Sequence, residues 1–477
     1  KINMNNLVKQ PHEKELFGHP VGLYVLFFVE MWERFSYYGM RAILTLYLAA
    51  PIILGDPQSG FGWSNGETLS FYGTYTMFVY LTSIPGGWIA DKFIGQKKAV
   101  MLGGILLCIG HSILAINAQW AFFTGLLFIV TGVGFLKPNI STMVGGLYKQ
   151  GDDRRDKGFY VFYIGINLGA FLGAIIVGAV AAKYGWHYGF GLAGIGMAIG
   201  QVVYMYGIKY LGKVGEFLGS ADSPDKDLLK KPLNKIEKDR MLVMFLSFLI
   251  IIVFWGAFEQ AGGLMSLYTE QKTDRMLSFS LPFIGNEIPA AVFQSINAFF
   301  IIVLGTAVGA FWHKRKNKGK ESSSIFKMAI GVIIMAFGFF FMSKAASEVL
   351  MNGDVVAEKS AMIWLVLAYL FHTIGELCAS PVALSFITKL APVKYASFMM
   401  GAYFAATGLG NKLAGLIGGL SENAGDFEVF TGIAVTCSIF GVLVIAILKP
   451  IKRLTHGAED SKGTRNEEAE GFELADS

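Results

Sequence analysis

The stretch "FFVEMWERFSYYGMRAILTLYL" runs from Phe27 to Leu48. Its two ends read as lipid-facing apolar helix, yet its middle holds Glu30, Glu33, Arg34 and Arg41. On a helix turning about 100° per residue, these four and Tyr37 fall within one stripe about 100° wide, while Met31 and Phe35 fall outside it. A charge at the centre of a spanning helix costs about 2.5–3.5 kcal/mol on insertion scales. The pattern therefore predicts a polar face that looks into an aqueous route rather than into lipid.

The rest of the chain supports a membrane reading. Its 477 residues are 53% hydrophobic and only 16% charged, with 40 Phe and 58 Gly. Mean hydropathy is +0.50. A soluble chain carries about 25% charged residues. Abundant glycine suits helices that approach closely in lipid. The three cysteines, Cys108, Cys378 and Cys437, lie far apart in apolar stretches. They have no metal or disulfide spacing and read as packing residues. The first apolar segment is too long for a signal-peptide core and is expected to stay in the membrane.

A spanning helix needs about 20 apolar residues. Twelve spans are expected, at 21–50, 67–90, 98–116, 120–147, 158–182, 187–209, 241–268, 287–312, 326–344, 361–390, 396–420 and 427–448. Counting residues at span ends with the loops they abut, the termini and one set of alternate loops hold 31 Lys and Arg, and the other set holds 5. That asymmetry predicts both termini on the cytoplasmic side of a plasma membrane. The organisation expected is a cytoplasmic segment (1–20), a six-helix bundle (21–212), a polar linker (213–240), a second six-helix bundle (241–449) and a disordered acidic tail (450–477). The turn "GGWIADKFIGQKK" (86–98) resembles the signature loop of the major facilitator superfamily, whose paired halves enclose a site near the membrane midplane.

Four bases, Arg34, Arg41, Lys137 and Lys412, and four acids, Glu30, Glu33, Glu259 and Glu376, fall within these spans. Unpaired, eight such charges would cost on the order of 20 kcal/mol, more than the ~5–15 kcal/mol that stabilises typical proteins. They must be paired or face a wet cavity. Interhelical glue explains them poorly, because apolar substitutes for buried ion pairs are often neutral or stabilising. Two carboxylates and a guanidinium within five residues form a cluster able to load and unload one proton as its wetting or pairing changes. Spans one and four supply bases and spans seven and ten supply acids, the two poles that a zwitterion needs. Trp255 with Glu259, and Glu376 with Ser380, are each four apart and are expected to share a face.

Several segments together resemble one family. "EMWERFSYYGMR" (30–41) is similar to the ExxER signature of the proton-dependent oligopeptide transporters, a major facilitator branch. "YVFYIGINLGA" (160–170), "GFLKPNIS" (134–141), "FWGAFEQAG" (254–262), "FQSIN" (293–297) and "GELCASPVALSF" (375–386) resemble that family's motifs in helices five, four, seven, eight and ten. The resemblance implies an all-α polytopic protein of the major facilitator fold and symport of di- and tripeptides with protons. It implies proton coupling by Glu30, Glu33, Arg34 and Glu259. Arg41 and Lys137 would receive the peptide carboxylate. Glu376 would receive its amino terminus, helped by Asn297 and Asn167. Tyr37, Tyr38, Tyr75, Trp255 and Tyr403 would line side-chain pockets, with Ser380 beside Glu376.

Two departures are visible. Many members carry a histidine in helix two, where this chain reads "SFYGTYTMFVY" (70–80), so coupling must rest on the carboxylates. The polar 213–240 stretch is too short for the two extra helices of many bacterial members. The absence of a large insertion between spans nine and ten, unlike animal members, points to a bacterial inner membrane. Lys412 is expected to snorkel toward a surface. Tyr75, Tyr80 and Tyr403 each read equally as packing or interface aromatics or as pocket walls, Asp91 as a helix cap or gate, and His111, His187, His313 and His372 as packing or interface residues. Protons are the only coupling agent expected: no cofactor, metal, nucleic acid or obligate protein partner is implied, and no nucleophile–base constellation suggests an enzyme. The rival within the class is a relative carrying nitrate or another anion, which has less use for Glu376.

Overall fold

A computed structural model describes residues 14–458 apart from 149–151, 153, 218–231, 283, 354 and 393–395. A short pairing of β1 (Glu15–Leu16) with β2 (His19–Pro20) leads into α1 (Val21–Ala49). The first half continues with α2 (Asn65–Leu81), α3 (Ser83–Ile89), α4 (Gln96–Leu114), α5 (Gln119–Gly146), α6 (Arg154–Tyr184) and α7 (Trp186–Gly207). The second half holds α8 (Lys235–Phe258), α9 (Leu264–Lys272), α10 (Ser295–Asn317), α11 (Ser324–Glu348) and α12 (Met362–Leu390). It closes with α13 (Ala396–Gly419), α14 (Ser421–Ala424), α15 (Asp426–Ala446) and α16 (Leu448–Leu454). Strands confined to connections pair as β3 (Thr273–Asp274) with β8 (Ser360–Ala361), β4 (Met276–Leu281) with β5 (Gly285–Glu287), and β6 (Leu350–Asn352) with β7 (Val355–Glu358).

Among the described residues, nine helical segments are long and apolar enough to cross a bilayer by length and composition. The expected spans at α1, α2–α3 and α13 fall short of that measure for stated reasons. α1 carries four charges, α2–α3 is diluted by Tyr, Thr, Ser and Gly, and α13 contains Asn411 and Lys412. Span seven is also two helices, α8 and α9, joined by a 3-10 turn at Glu259–Ala261. The parts of 1–20 and 213–240 covering 1–13 and 218–231 lie outside the described residues, as does 459–477. Part of the expected disordered tail is ordered helix, since α16 extends to Leu454. Lys452 holds α16 to Glu321 at 2.8 Å, and His456 Nε2 lies 2.7 Å from Asp239. Partial burial raises the Glu321 carboxyl, but hydrogen bonds from Lys452 and Ser323 outweigh it and hold it down at about 2.

The sequence expectation that the ends of α1 face lipid is wrong. Leu23, Leu26, Ile43 and Leu48 are 0% exposed, and α1 packs against both α6 and α7. It is the central helix of its half, buried on nearly every side. The lipid-facing surface lies elsewhere, on exposed apolar residues such as Leu127, Ile195, Val303 and Val442. Glycine sets the closeness of α1 and α6: a Cβ on Gly169 would lie 2.1 Å from the Met31 carbonyl oxygen. The halves meet with similar closeness, where a Cβ on Gly73 of α2 would lie 2.9 Å from Gly415 Cα of α13. Overpacking at such a contact costs about 1–3 kcal/mol or more. Gly169→Leu is therefore expected to lower the detergent-extracted melting temperature and the monodisperse yield, read by fluorescence-detected size-exclusion chromatography. A variant as stable as the parent would show that α1 and α6 are not in this contact.

Candidate functional site

Between the halves lies a cavity of about 1480 Å³. Its deep wall includes Arg41 and Tyr38 from α1, Lys137 from α5, Asn167 from α6, Trp255 from α8, Asn297 from α10, Glu376 and Ser380 from α12, and Tyr403 from α13. It runs to the end of the molecule that carries Asp91, Gln96 and residues 213–217. A second cavity of about 1020 Å³ lies on the opposite side, lined by Leu46, Ala49, Glu270 and Arg275 among others.

Two prolines shape the first cavity. Pro138 sits inside α5 directly after Lys137, and Pro381 inside α12 directly after Ser380. Each lacks an N–H and frees a carbonyl one turn earlier, which loosens the helix where it meets the cavity. At the first proline the freed Gly134 carbonyl is accommodated by a glycine opposite, since a Cβ on Gly86 would lie 2.1 Å from its oxygen.

The eight charges are partnered unevenly. Arg34 Nε donates to Glu30 Oε1 at 2.7 Å and lies 3.0 Å from Glu33 Oε2. The second approach is off the N–H direction, so the Glu33 carboxylate, 0% exposed, accepts no hydrogen bond. Arg41 Nη1 donates to Glu259 at 3.0 Å and 3.3 Å, and Tyr72 Oη donates to the same carboxylate at 2.5 Å. Asn297 Nδ2 donates to Glu376 at 2.9 Å and to Thr373 Oγ1 at 3.1 Å. The Lys137 ammonium lies 3.7 Å from the centre of the Tyr80 ring, with no carboxylate within ion-pair distance among the described residues. Such a cation–π contact is worth about 0.5–2 kcal/mol. Arg41 likewise sits over Tyr38, 4.9 Å from the ring centre.

Several expectations need correction. The α1 stripe does not look into water as a whole. Arg41 and Tyr38 reach the cavity, whereas Glu30, Glu33, Arg34 and Tyr37 are buried behind its wall. The reason is the central position of α1, whose polar face is covered by its neighbours over most of its length. Tyr75 is buried off the wall with its hydroxyl unpartnered, and Tyr80 lines the cavity instead. Trp255 lines the cavity, whereas Glu259, one helical turn on with its N–H still bonded to the Trp255 carbonyl, lies off the wall and is taken up by Arg41. Lys412 does not reach a surface: its ammonium donates to Thr74 Oγ1 at 2.7 Å across the α2–α13 contact. Asn167 lines the cavity while its amide donates to the Tyr163 carbonyl at 2.9 Å. Reading the sequence missed Tyr72. The cue was its spacing, since Tyr72 and Tyr80 are eight apart and Tyr72 is one turn from Thr68 on the buried face of α2.

The POT family model matches residues 97–219 and 227–431. The chain belongs to the POT family. It is 35% identical to a protein named peptide transporter YePEPT from Yersinia enterocolitica subsp. palearctica, over 96% of this chain and 99% of that one. It is 32% identical to a di-/tripeptide transporter of Lactococcus lactis subsp. lactis, over 94% of this chain and 99% of the relative. In structure it is similar to a peptide transporter POT solved in complex with sulfate, with a TM-score of 0.83 at 32% identity, covering 93% of this chain and 97% of that one. These likenesses extend along nearly the whole chain and fix it as a multi-pass membrane transporter of the major facilitator architecture.

The wall assignment is open to direct measurement. In a background lacking the three native cysteines, Tyr80→Cys is expected to react with a small maleimide about tenfold faster than Tyr75→Cys, because thiol reactivity follows access. Equal rates would mean that both or neither of these positions meet the cavity.

Proposed function

We infer that this chain carries di- and tripeptides across the membrane by alternating access, coupled to protons, and that its cavity is the peptide site. The observation that carries the reading is the polarity of the cavity wall. Arg41 and Lys137 stand on the first half, and Glu376, held by Asn297, stands on the second. A zwitterionic peptide presents a carboxylate to one pole and an ammonium to the other. A carrier of nitrate or another small anion would use the cationic pole alone and would gain nothing from a buried carboxylate opposite it.

In this conformation the cavity opens at the end bearing the 86–98 turn, which the charge distribution assigns to the cytoplasm of a bacterial inner membrane. The opposite end is closed by Arg41, Glu259 and Tyr72. An incoming carboxylate competes with Glu259 for the Arg41 guanidinium, so binding and closure are linked through one side chain. The Lys137 ammonium, resting on Tyr80, is the second group free to receive it. Protonation of Glu33 breaks no hydrogen bond, because it accepts none. It does remove half of the acid charge facing Arg34, leaving Glu30 as the remaining partner. One proton moving down 100 mV releases about 2.3 kcal/mol. At about 1.4 kcal/mol per decade that sustains roughly 50-fold accumulation of a neutral solute.

Competition in liposomes under an inward proton gradient tests the substrate class. Dipeptides and tripeptides are expected to compete with a labelled dipeptide, and nitrate and single amino acids are not; competition by nitrate alone would overturn the reading. Glu33→Gln is expected to abolish gradient-driven uptake while leaving counterflow exchange measurable. Full gradient-driven uptake by this variant would remove Glu33 from the coupling. Glu376→Ala is expected to weaken peptides with a free amino terminus by about tenfold or more, and N-acetylated peptides much less, since a lost charge-assisted bond costs about 1.5–3 kcal/mol. Equal losses would remove Glu376 from the ammonium site.

A further inference from the structure

We infer that Tyr72 is a positioning residue for the closed end of the transporter: its phenol and the Arg41 guanidinium form a two-donor socket on the first half that captures Glu259 of the second. The inference rests on the reading above that the Arg41–Glu259 contact closes this end.

The geometry is specific. Glu259 is the first residue past α8, in the 3-10 turn that separates α8 from α9. Its Oε1 takes two donors, Arg41 Nη1 at 3.0 Å from α1 and Tyr72 Oη at 2.5 Å from α2. Tyr72 is 1% exposed and Glu259 2%. Burial alone does not force a phenol on this helix to find a partner, since Tyr75, 5% exposed, has none for its hydroxyl. Space for the Tyr72 hydroxyl is provided by a residue of the same turn. A Cβ on Gly262 would lie 2.1 Å from Tyr72 Oη, so any other residue there would displace it. The turn is held from the other side as well, where Thr45 Oγ1 of α1 donates to the Gly262 carbonyl at 3.2 Å. One short segment, 259–262, thus receives hydrogen bonds from three side chains of α1 and α2, Arg41, Thr45 and Tyr72.

Both donors belong to one half and the acceptor to the other. Any rocking that opens this end must withdraw the carboxylate from both. A charge-assisted bond from a neutral O–H to a buried carboxylate is among the stronger hydrogen bonds. Tyr72 therefore sets how rarely the end opens, without touching the peptide and without lining the cavity.

The test uses the full-length protein in right-side-out membranes with the three native cysteines replaced. Thr68→Cys reports access: Thr68 lies one turn nearer the closed end of α2 than Tyr72, is 0% exposed, and has a hydroxyl with no partner to lose. Its labelling by a membrane-impermeant maleimide is compared in four backgrounds: parent, Tyr72→Phe, Glu259→Gln, and both together. Tyr72→Phe keeps the ring and its packing and is expected to raise the labelling rate about tenfold. Glu259→Gln is expected to raise it at least as much, and Tyr72→Phe added to Glu259→Gln to change it less than twofold, the non-additivity of groups that share one contact. If Glu259→Gln raises labelling and Tyr72→Phe does not, Tyr72 has no part in closure and the inference falls while the closure reading stands. Independent, multiplying effects of the two would also overturn it. If neither raises labelling, the closure reading itself fails. Glu259→Asp, which shortens the reach to both donors, replaces Glu259→Gln if the glutamine variant does not reach the membrane.

Discussion

A carboxylate from one half of this molecule enters a pair of donors on the other. Glu259 cannot sit 2% exposed as an anion without them, and Arg41 cannot lie at mid-depth without an acid. Each therefore fixes the other, and through them the relation of α1 to the α8–α9 break. Because α1 is the central helix of its half, whatever holds Arg41 also holds the Glu30–Glu33–Arg34 cluster two turns away on the same helix. That cluster and the Arg41–Glu259 contact are thereby on one rigid rod. A displacement at one end of α1 is felt at the other without an intervening loop.

The helix breaks follow from the same constraint. The 3-10 turn at Glu259–Ala261, followed by Gly262 and Gly263, ends α8 at the carboxylate, and Gly262 leaves space for the Tyr72 hydroxyl. In α5 and α12 the loosening is by proline, placed immediately after Lys137 and Ser380. Irregular backbone at membrane depth is tolerated where it is buried in protein or lines a cavity. The proline sites within α5 and α12 and the turn between α8 and α9 all satisfy this.

The fold class was legible because apolar run length and basic-residue asymmetry are set by the bilayer, which acts on each span separately. The deep charges stood out for the same reason: lipid makes each one costly. Less legible was which way each charge faces. A helical wheel places Glu30, Glu33, Arg34 and Arg41 on one stripe, but it has no knowledge of what covers the stripe. Tyr75 and Tyr80 are five apart on one helix, and only packing decides that the second meets the cavity. The partners of Lys412 and Glu259 were out of reach for a related reason. Thr74 is 338 positions from Lys412, and Tyr72 is 187 from Glu259. No periodicity encodes contacts across that distance.

On the reading proposed above, the cavity charges would let one site both bind and switch. Lys137 has an aromatic face for support and Glu376 an amide, neither of which neutralises it. Arg41 by contrast is already paired. A zwitterion entering the cavity meets two charges that gain a partner and one that must exchange its partner. The first two favour retention of the peptide. The third converts retention into release of Glu259, because a guanidinium shared between two carboxylates binds each less firmly than it binds one. Had all three been paired beforehand, binding would carry the cost of breaking every pair. Had none been paired, binding would leave the closing contact untouched. Only the mixed arrangement links occupancy to the state of the far end, and that asymmetry is built from which helix supplies each side chain.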